Sequence, residues 1–313
     1  MRLRDRTVVV TGGSRGLGLE IARQALDRGA RVGICGTDEE SLEAAHRALA
    51  RRGETAAVRC DVSDPGQVEE FIATVERRLG EVDVLVANAG VIMVGPLEHQ
   101  TVDDMRRAMD VMFWGVVHPV MAVLPGMRRR RSGRIAVITS IGGRIAVPHL
   151  MPYSAAKFAA VGFSEGLSAE LARDGIRVTT VVPGLMRTGS HLRALFKGRH
   201  RREYTWFGLS ASLPLISLGV SRAARRILDA VERGAVHTSI GLPAAIGGRV
   251  HGLMPGATVR LMRLVARLLP GPGGIGEELR TGAESTTVIS ESPLTALGRR
   301  AADRQGQRPA AAR

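Results

Sequence analysis

Short apolar runs alternate with stretches whose apolar positions fall three and four apart along the first 180 or so residues. Thr7-Val8-Val9-Val10 is a β-branched run of the kind buried in a sheet, and Gly12, Gly16 and Gly18 follow at once. Leu17, Leu19, Ile21, Ala22, Ala25 and Leu26 then recur at helical spacing up to Gly29. Further strands are expected at Ala30–Cys35, Val82–Val86, Ile135–Ile138 and Val178–Val182, with a last short one near Val236–Ile240. Such alternation predicts an α/β fold, a doubly wound parallel sheet covered by helices on both faces. Ser221 reads as the N-cap of a helix carrying Ala224, Ile227, Leu228 and Val231, closed by Gly234. Farther on, Val259, Leu261, Met262, Leu264, Val265, Leu268 and Leu269 oppose Arg260, Arg263 and Arg267. Thr258–Leu269 is therefore expected to be an amphipathic basic helix.

The 313 residues suffice for one full α/β core with a helical C-terminal extension. Net charge is +14 and unevenly placed. Residues 1–186 hold 24 Lys+Arg against 22 Asp+Glu, and residues 187–313 hold 20 against 8. No nucleic-acid-binding motif accompanies that basic excess, so nucleic acid is not an expected partner. Gly189 to Leu213 carries Arg193, Lys197, Arg199, His200, Arg201 and Arg202 among Tyr204, Trp206 and Phe207. These residues fit either a loop that meets an anionic or acyl-like substrate, or a solvated surface. The helix at 258–269 leaves three readings open: packing over a cleft, docking on a second subunit, or lying on an anionic membrane. Intramolecular or subunit packing is preferred over the membrane. No apolar run reaches 18 residues, so no membrane-spanning helix is expected. The start, Met1 to Arg6, runs straight into the first strand and reads as leaving no room for a signal peptide. Cys35 and Cys60, the two cysteines, lack metal-ligand spacing and are expected as buried reduced thiols in a cytoplasmic protein, with no metal.

Two features carry chemistry. The strand, glycine turn and helix at Thr7–Leu26 are the context in which backbone N–H groups and a helix N-terminus cradle a pyrophosphate. Tyr153 and Lys157 lie four apart, one turn along a helix face. An ammonium within about 4–6 Å of a phenol favours the phenolate, so a depressed tyrosine pKa and a general acid/base near neutrality are expected. The lysine stands out on composition. Of the chain's 44 Lys+Arg, only Lys157 and Lys197 are lysines, and a compact ammonium is not replaceable by a planar guanidinium.

Gly-x-x-x-Gly-x-Gly at Gly12–Gly18 is joined by Asn88-Ala89-Gly90, Ser140, Tyr153-x-x-x-Lys157 and Pro183-Gly184 to Thr188, each after its strand. With these in order, residues 3 to 245 or so resemble the short-chain dehydrogenase/reductase family, in its roughly 250-residue type. The resemblance implies a Rossmann-like domain over 1–245 that binds NAD(P) and is catalytic. Residues 246–304 would form a basic extension and 305–313 a disordered tail. It implies that Gly12, Gly16 and Gly18 hold the pyrophosphate, with Ser14, Arg15 and Leu17 of the same loop also touching the dinucleotide. Asp61, with Val62, would meet the adenine, and Asn88, Ala89 and Gly90 would shape the floor. Ser140 would orient the substrate oxygen and Tyr153 pass the proton. Lys157 would hold the nicotinamide ribose and depress the phenol pKa. Pro183, Gly184 and Thr188 would flank the nicotinamide. The plainer alternatives are that Ser140 ends a strand, that Asp61 caps the following helix, and that the glycines serve packing.

The family pattern implies NAD(P)-dependent hydride transfer between the cofactor and a carbonyl/alcohol substrate, by a protein that is commonly a homo-oligomer. The competing reading is a catalytically weak NAD(P)-binding sensor or scaffold. Its marker is Met112, which stands where the family usually has an asparagine that anchors a water in the proton relay; a thioether is a weak acceptor. NADP is favoured over NAD. Gly36 stands where NAD-preferring members carry an acid, while Arg15 and Thr37 offer partners for a 2′-phosphate.

Overall fold

The computed structural model describes residues 1–212, 217–287 and 301–307. Seven strands pair in parallel: β1 (Thr7–Val10), β2 (Arg31–Gly36), β3 (Thr55–Arg59), β4 (Val82–Ala87), β5 (Gly133–Ile138), β6 (Ile176–Pro183) and β7 (His237–Ile240). Their spatial order is β3-β2-β1-β4-β5-β6-β7. The order reverses between β1 and β4, which opens a crevice at the carboxyl ends of those strands. All four residues of β1 are fully buried, as a parallel strand covered on both faces requires.

Among the described residues the longer helices are α1 (Gly16–Asp27), α2 (Glu39–Ala50), α3 (Pro65–Leu79), α4 (Val102–Met109), α5 (Gly115–Arg130), α6 (Met151–Glu170), α7 (His200–Ser212), α8 (Val220–Arg233), α9 (Leu242–Leu253) and α10 (Pro255–Ala266). One face of the sheet is sealed by Ile21, Leu42 and Ile227 of α1, α2 and α8 with their neighbours. The other is sealed by Phe71, Val120 and Ala160 of α3, α5 and α6. The doubly wound Rossmann-like sheet is therefore as expected, with a helical extension beyond β7.

Several local expectations shift. Ser221 is not the N-cap of α8; Gly219 takes that place, and Gly234 closes the helix in the left-handed region at φ +71°. Asp61 does not cap α3. Asp64 does, accepting from the N–H groups of Gly66 and Gln67, with Pro65 in the first turn. The basic helix expected at 258–269 begins three residues earlier, at Pro255. A π-helical turn, Asp110–Trp114, joins α4 to α5. The resulting 29-residue helix has a window of mean hydropathy 1.4, long and apolar enough to span a membrane by composition alone. Counting unbroken apolar runs does not detect it. Its Val116, Val120, Val123, Leu124 and Met127 are packed into the core, which accounts for the hydropathy.

The stretch from Gly189, expected as a mobile basic loop, is built in as far as it is described; Leu213 lies outside the described residues. Leu195–Phe196 pairs with Met93–Val94 and with Arg280–Thr281. Tyr204 and Phe207 are buried against Phe196. Lys197 is neither a solvated charge nor a free anion site. Its ammonium donates to Asp104 Oδ2 at 2.6 Å, both side chains being buried. Both lysines of the chain are thus buried.

The tail also departs from expectation where it is described. Disorder was expected from Gln305, yet the Gln305 carbonyl accepts from Gly16 N–H at 2.9 Å and its amide meets Glu20. Arg193 Nε donates to the Gln307 carbonyl. The unpaired N–H of a helix N-terminus attracts whatever acceptor is near, and here the chain supplies one. Residues 308–313 lie outside the described residues.

Candidate active site

The site is one open cleft of about 1150 Å³ along the carboxyl ends of the strands. Its floor begins at the β1 turn. Gly12 and Gly16 adopt φ +61° and +59°, conformations that favour glycine. A side chain on Gly18 would meet the Gly12 carbonyl at 2.2 Å, so Gly18 lets α1 approach the turn and does not itself line the cleft. That position is packing, as the plainer reading had it. Thr11 Oγ1 accepts from the N–H groups of Asn88 and Ala89, and Asn88 Nδ2 donates to the Thr11 carbonyl. Asn88 thereby ties the β1 turn to the end of β4, holding the switch-point crevice open.

The other expected residues come together. Gly12, Ser14, Arg15, Gly16 and Leu17 line one end with Thr37, Asp61 and Val62, and Asn88, Ala89 and Gly90 line the middle. Ser140, Tyr153, Lys157, Pro183, Gly184 and Thr188 line the far end. Asp61 Oδ1 accepts from Ser63 N–H and Oγ, which turns the loop after β3 into the cleft. The Thr188 hydroxyl accepts from Ser190 N–H.

At the far end, the Tyr153 phenol and Ser140 line the cleft together, and Ser140 Oγ accepts from Gly142 N–H at 3.0 Å. Lys157 Nζ donates to the Ile138 carbonyl at 2.8 Å and lies 6.0 Å from the centroid of the Tyr153 ring. The expected depressed phenol pKa is not what this arrangement produces. Burial raises the Tyr153 pKa, with the Ser140 hydrogen bond opposing it, and burial lowers the Lys157 pKa to about 8. Each group is desolvated, so each favours its neutral form. The ammonium is spent on a backbone carbonyl rather than on the phenol oxygen.

Met112 is fully buried with Ala108 and Ala156 inside the π-helical turn. A Cβ placed on Gly90 would lie 3.8 Å from Met112 Sδ and 3.9 Å from Lys157 Nζ, so both side chains border Gly90. π-turns inside α-helices recur at functional sites; no periodicity in the sequence marks this one. Gly142 and Gly143 were missed as well. Side chains there would meet Tyr153 Cε1 at 2.9 Å and the Lys157 carbonyl at 2.6 Å, so the pair lets α6 press against the Ser140 loop. The adjacent glycines after Ser140 were the available signal.

The opposite end suits a dinucleotide phosphate. Arg15 Nη1 is buried with no hydrogen-bond partner among the described residues. The Arg15 pKa is lowered by burial and by the charge of Arg193, with Asp38 opposing. Arg193, expected near substrate, instead stands at this end, 3.9 Å from Asp38. Two guanidiniums beside a glycine turn, one with an orphaned donor, fit an anionic group.

The short chain dehydrogenase family profile matches residues 6–195. Dehydrogenase/reductase SDR family member 7B of Mus musculus is 37% identical over 198 residues, covering 62% of this chain and 61% of that protein. The match thus spans about three fifths of that relative's length. A short-chain dehydrogenase from Streptomyces avermitilis superposes with TM-score 0.72 at 30% identity, over 84% of this chain and 97% of that one. A variant of actinorhodin polyketide ketoreductase, solved with NADPH, gives TM-score 0.68 at 32% identity, over 77% and 97%. With the sheet order, the cleft and a family match over more than half its length, this chain belongs to the short-chain dehydrogenase/reductase family.

Proposed function

We propose that this chain is an NADP(H)-dependent oxidoreductase acting on a carbonyl/alcohol pair of apolar or acyl-like character. The observation that carries the reading is the convergence of Ser140, Tyr153 and Lys157 at one end of a cleft whose other end is the glycine turn and Arg15. The nicotinamide, when bound, supplies the hydride to the carbonyl carbon. Tyr153 donates its proton to the carbonyl oxygen, and the Ser140 hydroxyl hydrogen-bonds the same oxygen as negative charge develops there. A raised phenol pKa keeps Tyr153 protonated at neutral pH, the form that can donate. Val91, Ile92, Leu192 and Leu195 line the same cleft and support an apolar substrate. The ketoreductase solved with NADPH points the same way.

The cofactor preference rests on Gly36 and Arg15. A Cβ on Gly36 would meet Ser14 Oγ at 2.9 Å, so an acid at the end of β2 would displace Ser14. Arg15 and Arg193 offer charge-assisted donors to a 2′-phosphate instead. Arg15→Ala is expected to raise the KM for NADPH by roughly 10–100-fold, the worth of a hydrogen bond to a charged group, while changing the KM for NADH little. Equal effects on both cofactors would remove the 2′-phosphate assignment.

The direct test mixes the protein and NADPH with ketones, quinones and acyl thioesters and follows the reduced-nicotinamide absorbance. NADPH binding with no oxidation across the panel would favour the sensor or scaffold reading. Met112→Asn examines the relay. It places an amide beside the Lys157 ammonium and is expected to raise kcat severalfold, at a cost of about 1–3 kcal/mol for a buried amide not fully bonded. An unchanged kcat would show that the thioether does not limit proton delivery.

A further inference from the structure

We propose that the hairpin of α9 and α10 is a docking surface for an anionic lipid bilayer. Neither helix buries its apolar side chains. Across both, only Ala244 and Thr258 are buried. Leu242, Ile246, Val250 and Leu253 of α9 recur at spacings of four, four and three, so they form one stripe, and all are exposed, Leu253 at 84%. In α10 and just beyond it, Leu261, Leu264 and Leu268 form a second exposed stripe, Leu268 at 86%. Met262 and Val265 of α10 are half-buried. The preferred sequence reading is intramolecular or subunit packing; within the chain, the described residues leave the apolar side of α10 uncovered. An apolar patch of this extent on a water-facing surface marks an interaction site.

Charge identifies the occupant. Arg260, Arg263 and Arg267 repeat the spacing of the leucines one position earlier, which sets a cationic stripe beside the apolar one. Arg249 adds a fourth guanidinium, and no acidic residue occurs between Glu232 and Glu277. A hairpin lying flat would sink its leucines to the acyl boundary and leave the arginines among headgroup phosphates. Each helix has 12 residues, well short of the ~20 needed to span. A second copy of the chain is a poor occupant, because a two-fold contact through this face would bring arginine against arginine with no acid in either helix to offset it.

The placement connects the surface to the cleft. Ala244 packs against Gly184, and Gly247 lies by Ile141 and Ile145 in the loop after Ser140. The bilayer would thus adjoin the end of the cleft that holds Ser140 and Tyr153, on the side from which an apolar substrate would come.

Flotation of the full chain with phosphatidylcholine vesicles, with and without phosphatidylserine, tests this. The protein is expected to float with phosphatidylserine vesicles, to stay behind with phosphatidylcholine alone, and to be released by high salt. Arg260→Glu, Arg263→Glu and Arg267→Glu together should lower the partition constant by at least ~100-fold, at about fivefold per cation lost. Leu261→Ser, Leu264→Ser and Leu268→Ser together should release the protein without altering NADPH binding or the thermal melt. Failure to float with phosphatidylserine vesicles at low salt would overturn the proposal, as would flotation of the charge-reversed variant equal to that of the parent. Sedimentation showing a dimer dispersed by the leucine substitutions, with no vesicle binding, would assign the face to a second copy and overturn it too.

Discussion

Tyr153→Phe is expected to lower kcat for carbonyl reduction by about 10²–10⁴-fold, the range that a positioned general acid contributes. Phenylalanine keeps the ring and removes only the hydroxyl, whose pKa Ser140 lowers against the effect of burial. Tyr153 packs beside Met112 and Ala156 through its ring, so the change should leave the fold and the glycine turn in place. NADPH affinity, read by fluorescence titration, should then move by no more than a few fold. A variant that binds NADPH normally and retains more than a tenth of the parental kcat would transfer the acid to another group. Loss of binding and turnover together would show instead that the hydroxyl holds the cleft's shape.

Lys157→Met is expected to abolish turnover and to change how stability depends on pH. The ammonium is 4% exposed, and burial lowers its pKa from 10.5 to about 8. The unfolded chain therefore binds this proton more tightly than the folded one does. Below about 8 both states are protonated, and the buried charge costs a constant amount, roughly 3 kcal/mol for such a shift. Between about 8 and 10.5 the folded state alone has released the proton, so the parent gains stability as pH rises. Methionine carries no charge and shows no such gain. It also leaves the Ile138 carbonyl unpartnered, at about 1–3 kcal/mol, so its advantage at neutral pH is on the order of 1 kcal/mol. Urea denaturation across that window checks the sign: the variant is the more stable below pH 8, and its advantage reverses toward 10.5. Parallel curves for the two proteins would mean that the ammonium is not desolvated. Reductive kcat/KM of the parent should correspondingly fall as pH rises through about 8, where the cation is lost.

Much of the site was legible because its residues are local to one element or one turn. Tyr153 and Lys157 share a helix, so their spacing alone places them on one face. Gly12, Gly16 and Gly18 follow a β-branched strand and open a helix, and that succession identifies the turn. What was not legible depends on partners far along the chain. The Lys157 ammonium finds the Ile138 carbonyl 19 residues earlier, which redirected the expected pKa argument. Lys197 finds Asp104, 93 residues away, and so leaves the basic surface in which the sequence seemed to place it. The return of Gln305 to Gly16 crosses nearly the whole chain. A tail of Gln, Gly and Arg carries no apolar period by which to foresee its docking.

The sequence by itself determined the doubly wound sheet, the glycine turn and the shared helix face of Tyr153 and Lys157, because hydrophobic period and short-range spacing act within a few residues of the chain. Only the tertiary structure decided which charges are buried, which direction the phenol and ammonium pKa values take, and that α9 and α10 leave their leucines uncovered. Desolvation is set by everything packed around a group, and a residue's own neighbours in sequence supply little of that surrounding.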